Sequence, residues 1–147
     1  MDWTIIYVNI VSKSRECRNE GKKNIGGNMA NTVKITTNDK IKVMKIPWSL
    51  EGWENAIEAD CTENVYTRIM CPLFGDRIIM IVDESGAMKH RPINKVASYL
   101  YGAQEHGTCI YGDVLFARQT GPDTVPLENA DLVKFFLKDH FPILEDE

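Results

Sequence analysis

Asp83, Glu84, His90 and Asp113 are the side chains whose types and order could serve acid–base chemistry. Two strand ends and one helix start would bring carboxylates and an imidazole to a shared cleft. Each also has an ordinary structural use. Asp83 and Glu84 stand in a turn, Asp113 follows a glycine at a strand kink, and Asn94 is a good helix N-cap. The structural use is the stronger reading, so no catalytic residue is assigned. A small hydrolase-like enzyme using these carboxylates and His90 is the alternative. His106 and Cys109 have an H-x-x-C spacing that Cys61 or Cys71 could complete into a tetrahedral zinc site. Structural zinc sites normally show two close ligand pairs and only one is present, so no metal is expected. Neither GxxxxGK[ST] nor GxGxxG after a strand occurs, and no nucleotide cofactor is expected.

A second group of residues could bind rather than react. Glu51, Glu54, Glu58, Asp60 and Glu63 form an acidic segment, and no Lys or Arg occurs between Ile46 and Thr67. Most such runs are a solvated face. Carboxylates held on a rigid element also mimic phosphates and dock on cationic surfaces, where complementary charge raises the association rate. Trp48 and Trp53 stand among them and could supply aromatic anchors. These seven residues are the candidate partner-binding set.

Composition sets the frame for both groups. The chain has 147 residues, enough for one domain with a real core, and its 44% apolar and 26% charged residues are ordinary globular stock. Residues 1–28 carry five Lys or Arg against three acids, net +2, which leaves −6 of the total −4 for residues 29–147. An acidic body argues against general binding to phosphate backbones. "KHRPINK" gathers only a small basic patch, so no direct nucleic-acid binding is expected. The four cysteines include no CxxC pair, and "WTIIYVNIV" lacks a basic flank and a cleavage site and is too short to span a bilayer. The expectation is a cytoplasmic protein with reduced thiols and no membrane partner.

Residues 1–33 read as an N-terminal extension and linker, and residues 34–147 as a single α+β domain. Ile-Gly-Gly-Asn-Met can be encoded by a run containing GGAGG upstream of an ATG, so Met29 is one candidate start. The other reading is a Gly-Gly hinge after a short strand, Thr4 to Val11.

From Lys34 the pattern becomes regular. "IKVMKI" alternates with period two and predicts a strand stopped by Pro47. "WSLEGWENAIEAD" places Leu50, Trp53 and Ile57 on one helical face and Glu51, Glu54 and Glu58 on another; Gly52 costs about 1 kcal/mol relative to Ala, so packing must support the helix. Strands are predicted over Val65 to Cys71 and Arg77 to Val82, the second apolar throughout and so covered on both faces at the centre of the sheet. Asn94 and Gly102 bracket a short helix with an apolar stripe of Ile93, Val96, Ala97, Leu100 and Tyr101. "TCIYGDVLFAR" is a strand broken or bulged at Gly112. "PLENADLVKFFLKDHF" is a closing helix with Leu132, Val133, Phe135 and Phe136 inward. The order is β-α-β-β-α-β-α: a mixed sheet of about four strands with two or three helices, the two longer ones on one face.

"VDESGAMKHRPINKVASYLYG", "IYGDVLFAR" and "VPLENADLVKFF" together resemble a family of domains of unknown function common in phages, plasmids and integrative elements of bacteria. The matching positions are Asp83, Gly86, Pro92, Asn94, Gly112 and Asp113, within about residues 40 to 138. "ADCTENVYTR" departs from the Gly-rich turn of that pattern, and residues 1–28 have no counterpart in it. The resemblance implies a mobile-element origin and an accessory role, and carries no established activity. The expected function is therefore a non-catalytic interaction protein that binds the cationic surface of a host partner. That partner would be a nucleic-acid-binding defence protein, and the chain an inhibitor of a defence nuclease such as a CRISPR effector, in the cytoplasm of a bacterial cell.

Overall fold

A computed structural model describes residues 28–67 and 77–147. Their element order is β1 (Met29–Ile35), β2 (Lys40–Pro47), α1 (Leu50–Ile57), β3 (Thr62–Tyr66), β4 (Ile78–Asp83), α2 (Lys95–Tyr101), α3 (Ala103–His106), β5 (Val114–Thr120), β6 (Asp123–Val125), α4 (Ala130–His140) and β7 (Glu145–Asp146). The strands form one mixed sheet in the order β3-β4-β5-β1-β2-β7, with β6 paired to β5. Only the β2–β7 pair is parallel.

The fold is α+β as expected, with more elements than expected. Among the described residues the sheet has seven strands, not about four, and there are four helices, not two or three. β1 opens at Met29, ahead of the boundary expected at Lys34, and pairs along its length with β2 (Met29↔Pro47 to Ile35↔Ile41). β6, β7 and α3 are two to four residues long and carry no periodicity to detect. The second predicted strand starts three residues early, at Thr62, and its predicted end at Cys71 lies outside the described residues. So does the predicted strand Thr4 to Val11.

Every residue of β4 is buried, as its unbroken apolar run requires. Period-two alternation sends Ile78, Met80 and Val82 into one core cluster and Ile79 and Ile81 into another on the opposite face. β4 is an inner strand rather than the central one, because β5 and β1 hold the middle. The two clusters place the longer helices on opposite faces, not on one. Ile57 of α1 packs with Ile79, Ile81, Leu115 and Ala117, whereas Val133 and Leu137 of α4 pack with Val33, Ile35 and Phe116 beside α2.

Caps set the helix boundaries. The Asn94 side chain accepts from Ala97 N at 3.1 Å to start α2, and Gly102 ends it in the left-handed region (φ 86°), donating to Ser98 O and Tyr99 O. Val96, Ala97, Leu100 and Tyr101 are buried as predicted, but Ile93 precedes the helix and is half-exposed. Asn129 caps α4 through Leu132 N at 3.1 Å. Its buried face is Ala130, Val133 and Leu137, so Leu132 and Phe135, expected inward, point to solvent. Gly112 (φ 91°) does not bulge a strand; it stands before β5, which begins at Val114. No helix among the described residues is long and apolar enough to cross a membrane.

Candidate functional site

The predicted binding set is divided by the sheet. Trp48 and Trp53 stack edge to face at 5.4 Å and pack, half-buried, against the cluster beneath α1. Trp48 Nε1 donates to Thr124 O at 3.0 Å, tying the ring to β6 rather than presenting it. Glu54 is buried at 3% exposure, Glu51 is half-buried, and Glu58 is exposed as the left-handed cap of α1 (φ 56°). Asp60 is exposed, 3.8 Å from Lys89 Nζ. Glu63 shares the strand parity of Val65 and so faces the opposite side of the sheet from α1. The acidic run in sequence is thus not one acidic surface in space.

Two of the acid–base candidates, Asp83 and Asp113, are engaged in structural contacts. The Asp83 side chain is fully buried; its Oδ1 accepts from Ser85 N (3.0 Å) and Ser85 Oγ (3.3 Å), and its Oδ2 pairs with Lys89 Nζ at 2.8 Å and Arg91 Nη1 at 3.2 Å. The same Arg91 nitrogen donates to Ile57 O (2.7 Å) and Glu58 O (3.1 Å), a cation seated on the negative end of α1. Asp113 accepts from Thr37 N at 3.1 Å and lies 3.5 Å from Lys34 Nζ. His90 is exposed in a turn with φ 57°. Asn94 is fully buried, donating through Nδ2 to Ile35 O (3.1 Å) and Gly112 O (3.0 Å) while it caps α2. Asp83 with Arg91, Asp113 and Asn94 hold loops and helix ends onto the sheet. His106 stacks on Tyr101 at 4.3 Å, and among the described residues no group of three or more His, Cys, Asp or Glu is placed to hold a metal ion.

A site that sequence reasoning did not assemble lies on the α2 side of the sheet, at the β3 edge. A cavity of about 150 Å³ is bounded by Glu63 and Val65 of β3, Val82 and Glu84, Tyr101 of α2, and the segment 108–111 with Cys109 and Tyr111. Glu63 turns into it. Burial, and then the charge of Glu84, push the Glu63 carboxyl up to about 7. Val65, Val82 and Ile110 form an apolar wall, and Tyr101 and Tyr111 complete the lining. The parity of "TENVY" was the available signal: a carboxylate stands where the alternation calls for an inward apolar residue. The volume is below the roughly 300 Å³ at which cofactor and drug pockets begin. The cavity therefore suits the tip of a side chain or a small amine, not a nucleotide. The chain matches no protein-family model, no curated protein and no solved structure.

Proposed function

We propose that this chain is a non-catalytic binding protein for a cationic protein partner, and that the Glu63 cavity receives the end of a Lys or Arg side chain. The observation that carries the reading is Glu63 turned inward beside Glu84 in a small, apolar-walled cavity. Burial, and then the charge of Glu84, disfavour the ionised Glu63 carboxylate, and an incoming ammonium or guanidinium would offset that by giving Glu63 an opposite charge. The apolar wall suits the aliphatic stem of such a side chain, and Tyr101 and Tyr111 suit its cationic head. The acidic body, net −6 beyond residue 28, would steer a basic partner toward it.

Within this reading, the resemblance of about residues 40 to 138 to a mobile-element family of unknown function supports an accessory role in a bacterial cytoplasm. The partner is then a nucleic-acid-binding defence protein, and the chain an inhibitor of a CRISPR-type nuclease. Undiminished cleavage by a purified effector at saturating protein rejects that partner. A pair of carboxylates with one held near pH 7 also suits general acid–base chemistry, which makes a small hydrolase the second reading.

Calorimetric titration with n-butylammonium and n-butylguanidinium, with n-butanol as the neutral control, tests the pocket. Both cations bind the wild type, butanol does not, and Glu63→Gln weakens the cations at least about tenfold, or 1.4 kcal/mol. Equal affinity in the variant moves the binding elsewhere and rejects the reading.

A further inference from the structure

β7 is short, exposed and held largely by charge. Leu144, 4% exposed, anchors the segment in the core, and beyond it Glu145, Asp146 and Glu147 lie at the surface. Strand alternation sends Glu145 and Glu147 to one face of the sheet, where they pair with Lys40 and, at 3.3 Å, with Lys42. Asp146 points to the other face and pairs with Lys134 (3.1 Å) and Lys138 (2.9 Å) of α4. Glu145 N donates to Asp39 O and Glu147 N to Ile41 O, both at 3.0 Å, which lays the segment parallel to β2. Exposed ion pairs each add little, so these lysines select an acidic strand without gripping it firmly.

The edge that β7 occupies runs on past it. Thr36 N donates to Lys40 O, so the even-numbered residues of β2 bond to β1 and the odd-numbered ones turn their N–H and C=O outward. Among the described residues β7 pairs only with Lys40 and Ile41, which leaves the outward groups of Val43 and Lys45 without a strand beside them. Val43 is half-buried and Lys45 is exposed. Lysine along a sheet edge discourages indiscriminate pairing. It favours an acidic strand, and the segment already seated there is acidic at each position that meets a lysine.

We infer that the outer edge of β2 docks an extended acidic strand of a protein partner, and that β7 holds the first positions of this site in cis. A strand running parallel to β2 repeats the contacts of Glu145, Asp146 and Glu147, then adds backbone bonds at Val43 and Lys45 and a carboxylate for Lys45. β7 competes from within the same chain, so the partner must exceed that local competition. This edge lies at the opposite end of the sheet from β3 and the Glu63 cavity, and it does not depend on the reading given to them.

The peptide Leu-Glu-Asp-Glu-Val-Thr-Glu, which repeats residues 144–147 and then places an acid opposite Lys45, tests the assignment when titrated into the full chain and followed by amide NMR. It shifts the signals of Ile41, Val43 and Lys45, moves those of Glu145 and Asp146 to unpaired positions, and binds more weakly as salt is added. Glu145→Gln with Asp146→Asn and Glu147→Gln loosens β7 and raises the affinity at least about tenfold. Lys45→Glu, with an unchanged Tm, lowers it by about as much. No gain in the loosened variant denies the competition and overturns the assignment. Equal binding by a peptide N-methylated at the residues matching Glu145 and Glu147 denies the strand pairing and does the same. So do perturbations confined to other surfaces, or a concentration-dependent dimer of the wild type that Lys45→Glu abolishes, which would make the occupant a second copy.

Discussion

Asn94 does three tasks at once, and its substitution separates them from the ordinary work of a cap. Loss of a capping side chain alone costs about 1 kcal/mol. Here the same side chain also satisfies Ile35 O and Gly112 O in a fully buried setting, so Asn94→Ala should cost about 2–4 kcal/mol, read as a fall in Tm. A loss no larger than a surface cap's would contradict the hub role. Glu63 makes a different prediction. Its folded carboxyl is raised from 4.5 to about 7, so between those values the folded state keeps a proton that the unfolded chain releases. Its contribution is fully present below about pH 4.5 and is lost as pH rises through about 7. Urea denaturation across this window should show wild-type stability falling relative to Glu63→Gln; parallel curves would show that Glu63 titrates as an ordinary surface acid. The cap was legible because Asn followed by an apolar stripe is a local signal. The extra two bonds of Asn94 were not, since they reach segments distant in sequence; the inward aim of Glu63 could be read from strand parity, but the cavity around it could not.

At the scale of elements, α1 shows packing overruling propensity. Ala is the better helix former by about 1 kcal/mol, yet a Cβ at Gly52 would stand 2.0 Å from Pro47 O. Gly52→Ala should therefore destabilise the protein by at least about 2 kcal/mol, measured as a lower urea midpoint, instead of stabilising it. A stabilised variant would mean that α1 does not sit against the end of β2. The sequence suggested that this helix leans on its packing, and the reason is this close approach. α2 was readable from its capping residues, α4 from its apolar spacing, and β4 from its apolar run. β1 was not, because only Thr32, Val33 and Ile35 of its seven residues are buried and it adjoins a polar, Gly-bearing stretch. The inward face of α4 was misjudged because Leu132, Val133, Phe135 and Phe136 spread over about 160° of the helix, and only tertiary contact decides which arc is covered.

For the whole molecule, two apolar clusters on either side of one sheet mean that β4 serves both. Ile79 is fully buried in the cluster under α1, so Ile79→Asp places an unpaired charge there and should remove the cooperative thermal transition. A retained Tm would deny the two-sided core. Local pattern showed that β4 is covered on both faces but not which strand is central. β1 pairs with β5 across 81 residues, Lys34 with Leu115, and nothing in either segment alone specifies that. The same long-range closure brings β3, α2 and the segment 108–111 around Glu63, and there the account of function rests. The most direct measurement is the Glu63 side-chain carboxyl shift by NMR, titrated over about pH 4 to 9 with and without saturating n-butylammonium. The account predicts a midpoint of about 7 alone and a marked fall toward the ordinary carboxylate range with the amine present. A midpoint already in the ordinary range, or one that the amine leaves in place, contradicts it.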